Sequence, residues 1–149
     1  MRNTSRGSIA KVAMLAIAWT GAASTQTNHE AVAANLCEVF ASPAEYNHKV
    51  VSVDAIISPS IHSLFLSSTA CKAKENTDLT TQAVLPASWE SLPNGKELRK
   101  FLHRGKSASV KLTGTFEAGP QRYGPDGARF RFVINGISSV RGAPPDFRL

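Results

Sequence analysis

Absences bound this 149-residue chain before any motif does. Its four histidines, His29, His48, His62 and His103, stand singly and not at ligand spacing, so the sequence offers no metal motif. It has no C-x-x-C pair for thiol exchange, and no G-x-S-x-G, H-E-x-x-H or phosphate-cradling glycine loop. Paired carboxylates for hydrolysis would have to be assembled from Asp54, Glu90 and Glu117, whose spacing does not bring them together. No catalytic residue, no metal and no cofactor is therefore expected. The chain also lacks an internal repeat, a low-complexity tract and a run of like charge. Its longest apolar stretch, Val12 to Trp19, falls well short of the ~18 residues that a membrane-spanning helix needs.

What that stretch does resemble is a leader. Arg2, Arg6 and Lys11 precede it and the small residues Gly21, Ala22 and Ala23 follow, the positive, apolar, small order of a secretory signal peptide over residues 1–24. Cleavage after Ala23 or after Ser24 fits the small-x-small rule. No cysteine follows closely enough for a lipid anchor, and the arginines are not a twin pair. The expected location is periplasmic or secreted, with no stable membrane span after cleavage.

Removing the leader leaves 14 basic against 11 acidic side chains. The charge is unevenly spread: residues 25–95 hold three basic and seven acidic groups, residues 96–149 eleven and four. An oxidising compartment and an even cysteine count predict a disulfide between Cys37 and Cys71, the only two cysteines. It would close a loop worth ~3–4 kcal/mol by chain entropy.

Along the chain, Val32, Leu36, Val39 and Phe40 fall on one stripe of a helix spanning Ala31 to Phe40. Ser42-Pro43-Ala44-Glu45 reads as a capping box with proline at the first helical position, and Asn47 ends that turn. Tyr46 is expected to plug the core. Alternation then predicts a strand from Val50 to Ser58, with Val51, Val53, Ala55 and Ile57 inward, broken by Ser58-Pro59-Ser60. A second strand is expected from His62 to Ser68 and a third from Thr81 to Leu85. A helix capped by Asn94 and anchored by Leu98, Phe101 and Leu102 follows, with Gly105 as its stop. The fourth strand, Ala108 to Phe116, carries Gly114 as a bulge or sharp coil. The loop Ala118 to Ala128 joins it to a fifth, Arg129 to Asn135. Gly136 and Ile137 to Val140 close a domain of residues 25–140, and residues 141–149 read as a flexible tail.

This order is that of the OB fold: a mainly β, five-stranded, partly open barrel with an N-terminal helix and a helix between strands three and four. From Asn35 to Val140 the chain resembles small secreted bacterial proteins with an OB-like domain, through Leu36, Pro43, Tyr46, the K-x-V-x-V of Lys49, Val51 and Val53, and Cys71. The resemblance implies the fold and is silent on activity. It departs from nucleic-acid-binding members, which carry several aromatics on strands two and three where this chain has only Phe65.

OB barrels bind ligands on the strand 2–3 face and the loops joining strands 1–2 and 4–5. The residues expected there are Phe65, Arg122, Tyr123, Arg129 and Arg131. A cation beside a ring suits single-stranded nucleic acid or a sugar, while an ordinary solvated hairpin with Tyr123 packed on its own turn explains the same residues. The expected function is a non-catalytic binding or accessory module, its partner an envelope protein. The alternative is a binder of single-stranded nucleic acid or anionic polysaccharide through the strand 4–5 loop and the basic C-terminal half, using Arg122, Arg129 and Arg131 with Arg99, Lys100 and Arg104 of the preceding helix.

Overall fold

The computed structural model describes residues 30–71, 78–145 and 147. The leader, the polar stretch with Lys72, Lys74 and Glu75, and the end of the expected tail lie outside the described residues. The elements are β1 (Val32–Ala33), α1 (Leu36–Ala41), α2 (Pro43–Tyr46), β2 (Val50–Pro59), β3 (Leu64–Ser67), β4 (Thr81–Val84), a 3-10 turn (Trp89–Ser91), α3 (Gly95–Leu102), β5 (Ala108–Tyr123) and β6 (Ala128–Gly142). The sheet runs β2-β3-β4-β6-β5 and closes because β5 also pairs with β2. β4 and β6 are parallel, and the other pairs in the ring are antiparallel. The result is the expected five-stranded OB-like barrel, with helices ahead of β2 and between β4 and β5. Closure removes the long unpaired edges that an open sheet would expose.

Period-two alternation sends Val51, Val53, Ala55 and Ile57 inward from β2, Val110, Leu112 and Phe116 from β5, and Phe130, Phe132 and Ile134 from β6. Leu36, Val39 and Phe40 of α1 and Leu98 of α3 join the same core. Phe40 stacks on Phe130 with ring centres 5.5 Å apart, and Phe116 lies 5.3 Å from the same ring. Burying each such side chain contributes ~1.5–3 kcal/mol. Tyr46 is half-buried against this core, as expected of a plug. Gly114 sits at a register shift of the β5–β6 ladder, the expected irregularity. A Cβ there would lie 2.4 Å from a Phe132 ring carbon and 2.4 Å from the Val133 carbonyl oxygen, so only glycine lets the strand bend over that ring.

Cys37 and Cys71 are bonded, with their Cα atoms 5.1 Å apart, and tie α1 to the connection between β3 and β4. Among the described residues no helix is long and apolar enough to cross a membrane.

Several expected boundaries move, each for a local reason. The first helix starts at Leu36 because Asn35 caps it: its Oδ1 accepts the Cys37 N–H at 2.9 Å, and Glu38 accepts the Asn35 N–H at 3.3 Å. Val32 is therefore not on a helical stripe; it lies in β1, paired with Val51 and 47% exposed. Ser42 makes no side-chain cap to α2, whose start rests on Pro43. Asn94 does not cap α3 either. It takes a left-handed φ of 61° and donates its amide to the carbonyls of Ile137 (3.1 Å) and Ser138 (3.0 Å), pinning the helix start to β6. α3 ends at Leu102, ahead of Gly105, which takes a φ of 64°. Pro59 continues β2 instead of breaking it, while β3 is shorter than His62 to Ser68.

The largest correction concerns the expected loop from Ala118 to Ala128. β5 continues to Tyr123 and β6 begins at Ala128, leaving only Gly124 to Gly127 as a turn, with both glycines at positive φ. β6 likewise runs through Gly136 to Gly142, two residues into the expected tail, where Arg141 pairs with Ser109 and Gly142 with Ala108. Polar and small residues hide this ribbon from an alternation count, yet its ladder is held by cross-strand pairs.

Candidate functional site

The strand register builds one outward-facing row across four strands. Phe65 of β3 lies opposite Gln82 of β4, Gln82 opposite Arg131 of β6, and Arg131 opposite Glu117 of β5. With ~4.8 Å between neighbouring strands, Phe65 and Arg131 are about 10 Å apart on the same face. Two of the sequence-selected residues thus share a row on the face that OB barrels use for ligands.

The ribbon tip folds over the start of β4 and is fastened there. Arg122 pairs with Asp78. Asp78 also accepts the Thr80 N–H at 3.0 Å and the Thr80 hydroxyl at 2.5 Å. The hydroxyl bond from Thr80, followed by that from Arg122, lowers the Asp78 pKa from 3.8 to about 2. Thr80 in turn accepts the Arg129 N–H on its hydroxyl and the Phe130 N–H on its carbonyl, both at 3.0 Å. Gly124 lies so close to Gln82 that a Cβ would meet its amide at 2.2 Å.

Each selected cation already has a protein acceptor. Arg131 donates to Glu117 Oε2 through Nε at 2.8 Å and through Nη2, and its guanidinium lies 5.0 Å from the centre of the Tyr123 ring. Arg129 donates to the Gly119 carbonyl at 2.6 Å and covers Phe130 at 5.4 Å. Tyr123 is 5% exposed and its hydroxyl accepts the Gln121 side-chain N–H at 2.9 Å. The Tyr123 ring is thus an inner surface of the ribbon. The structure places these four residues on one ribbon in two separate sets of contacts, Arg122 and Arg129 about Asp78 and Thr80, and Tyr123 and Arg131 about Gln121 and Glu117, and it leaves Phe65 two strands away.

Phe65 borders something different. With Pro59, Leu66, Ser67, Leu79 and Thr80 it lines a groove of about 490 Å³, open between the β2–β3 turn and the start of β4 and bearing no charged side chain. Leu79 and Pro59 were not among the residues selected from the sequence. The available signal is an apolar residue embedded between Asp78 and Thr80, and a proline at the end of an alternating strand.

A second cleft, of about 470 Å³, carries charged side chains among small apolar ones. It lies along the edge of β2 between β1 and β3 and includes Asn35, Glu38, Asp54, Ser68 and Lys111. Among the described residues no three histidine, cysteine or carboxylate side chains are grouped to hold a metal ion. Comparison of the chain with protein-family models, with curated proteins and with solved structures finds no match in any of the three.

Proposed function

We propose that this protein is a non-catalytic binding module of the periplasm or extracellular space, whose barrel offers the Phe65 groove to an apolar side chain of an envelope partner protein. The observation that carries this reading is the groove itself: uncharged, rimmed by Phe65, Pro59 and Leu79, and set beside the β3–β4 face that OB barrels use for recognition. An aromatic at the mouth of an apolar recess supplies the central contact of an interface, where a few buried anchors carry most of the affinity. The disulfide agrees with an oxidising compartment.

Polyanion capture by Arg122, Arg129 and Arg131 is the less favoured use of this face, because each would first have to leave its carboxylate or carbonyl acceptor. The test is site-specific photo-crosslinking in the native host, with the reactive group placed at position 65 and, as a control, at exposed Lys49. One discrete adduct from position 65, absent from position 49 and insensitive to added salt, is expected. No adduct from position 65, or the same adducts from both positions, overturns the reading.

A further inference from the structure

The cations of the C-terminal half divide into two sets. Arg99 is bonded to Glu90, Lys100 to Glu97, Arg122 to Asp78 and Arg131 to Glu117, and Arg129 is held by the Gly119 carbonyl. Lys96, Arg104, Lys106, Lys111 and Arg141 have, among the described residues, no carboxylate within ion-pair distance, and all five are exposed.

Lys96 lies in the first turn of α3, and the fold brings the other four to one end of the barrel, where α3 finishes, β5 begins and β6 stops. The N–H groups of Arg104 and Lys106 both bond the Phe101 carbonyl at 3.0 Å, and Ala143, just past β6, donates to the Ser107 carbonyl at 3.4 Å. The position a Cβ would occupy on Gly142 lies 3.6 Å from the Phe101 ring. Arg141 is directly opposite Ser109, and Lys111 directly opposite Ser139, so the two cations are diagonal neighbours on the outward face, ~7–8 Å apart. Asp54 stands opposite Lys111 on β2 and offsets its charge, which leaves Arg104, Lys106 and Arg141 as the uncompensated cations at this end.

From this placement we infer a second binding surface, which takes a linear anionic polysaccharide by charge at the α3–β6 end of the barrel. Two features favour a polysaccharide over single-stranded nucleic acid. Nucleic-acid binding by single strands relies on aromatic platforms for the bases, and the large hydrophobic residues exposed among those described are Val32 and Ile61, neither of them aromatic. The cations are instead interleaved with the hydroxyl residues Ser109 and Ser139, donors and acceptors suited to sulfate, carboxylate and sugar hydroxyl groups. Three cations that displace counterions from a dense polyanion give a salt slope of about 2, so binding weakens about ten-fold when salt rises three-fold.

The experiment is fluorescence anisotropy of the purified protein against a labelled sulfated oligosaccharide and a labelled single-stranded DNA of equal charge, at about 50 and about 150 mM salt, between which the screening length shortens from about 14 to about 8 Å. The expected results are tighter binding of the oligosaccharide, a loss of about ten-fold between the two salts, and loss of binding in the triple variant Arg104→Glu, Lys106→Glu, Arg141→Glu. Lys49→Glu is expected to bind as the parent does. Single Arg141→Gln, a neutral change at an exposed position, is expected to flatten the salt slope by about 0.7 of a unit. The inference is overturned by tighter binding of the DNA, by no oligosaccharide binding at the lower salt, or by an Arg141→Gln protein indistinguishable from the parent. Phe65→Ala is expected to leave oligosaccharide binding intact, which keeps this test separate from that of the groove.

Discussion

Removing the disulfide is the perturbation whose cost can be worked most directly. Cys37 and Cys71 are separated by 34 positions, and cross-linking a loop of that length removes about 13 cal/mol/K of entropy from the unfolded chain. At 25 °C that is about 3.8 kcal/mol. A domain of this size is stable by roughly 5–15 kcal/mol in all, so losing the bond takes a quarter or more of the total. The variant Cys37→Ala, Cys71→Ala avoids placing a hydroxyl at half-buried Cys71, which packs against the core. Urea unfolding followed by circular dichroism should show a lower midpoint and a slightly steeper transition, because the unfolded chain without its loop exposes more surface. A fall in stability of about 3–4 kcal/mol is expected. A loss under about 1 kcal/mol would refute the reasoning, since the loop would then not be constraining the unfolded state.

Two further substitutions test the geometry of the ribbon. At Asp78 the folded pKa of about 2 lies below the usual 3.8, so the group contributes stability that is present above pH 4 and lost as pH falls through 2. With its side chain 40% exposed the contribution is screened to no more than ~1 kcal/mol. Asp78→Asn should therefore unfold more easily than the parent at neutral pH, and the two melting curves should converge between pH 4 and pH 2; a constant gap across that range would show that the Thr80 and Arg122 contacts do not depend on its charge. Gly114→Ala reads the close approach of β5 to Phe132. In an open strand the change would stabilise by ~0.4–1 kcal/mol through the unfolded state, whereas a Cβ 2.4 Å from both a ring carbon and a backbone oxygen should destabilise by ~3 kcal/mol, so the sign alone checks the register.

The barrel strands were legible because apolar alternation is strong wherever one face is buried. Val51 to Ile57, Val110 to Phe116 and Phe130 to Ile134 each carry it, and the order of elements then leaves few ways to close a sheet. What alternation cannot register is a strand continued by polar pairs. From Glu117 to Tyr123 and from Ile137 to Gly142 the ladder is maintained by Arg131 on Glu117, by Tyr123 buried beneath a guanidinium, and by Asn94 reaching two β6 carbonyls. Those partners are from 8 to 44 residues apart in the chain, beyond any local window. The Asn35 capping box does lie within such a window, four residues long, where the apolar stripe beginning at Val32 gives the stronger periodic signal.

The same limit governs the charge. Counting eleven basic side chains in the last third says how much positive charge the fold carries and nothing about how much of it faces a ligand. Around the ribbon the arginines are structural: a Glu117 side chain only 16% exposed gains two N–H donors from Arg131, and an Arg131 truncation would leave that carboxylate part-buried without its donors, a cost of ~1–3 kcal/mol. A residue that stabilises the fold by this amount is poorly placed to bind a ligand as well, because every new contact must first replace an existing one. Arg104, Lys106 and Arg141 carry no such obligation among the described residues, and the price of engaging them is only the loss of their side-chain freedom. On the proposed reading, recognition by charge therefore belongs at the end where α3 and β6 meet, and recognition by shape at the uncharged groove beside Phe65.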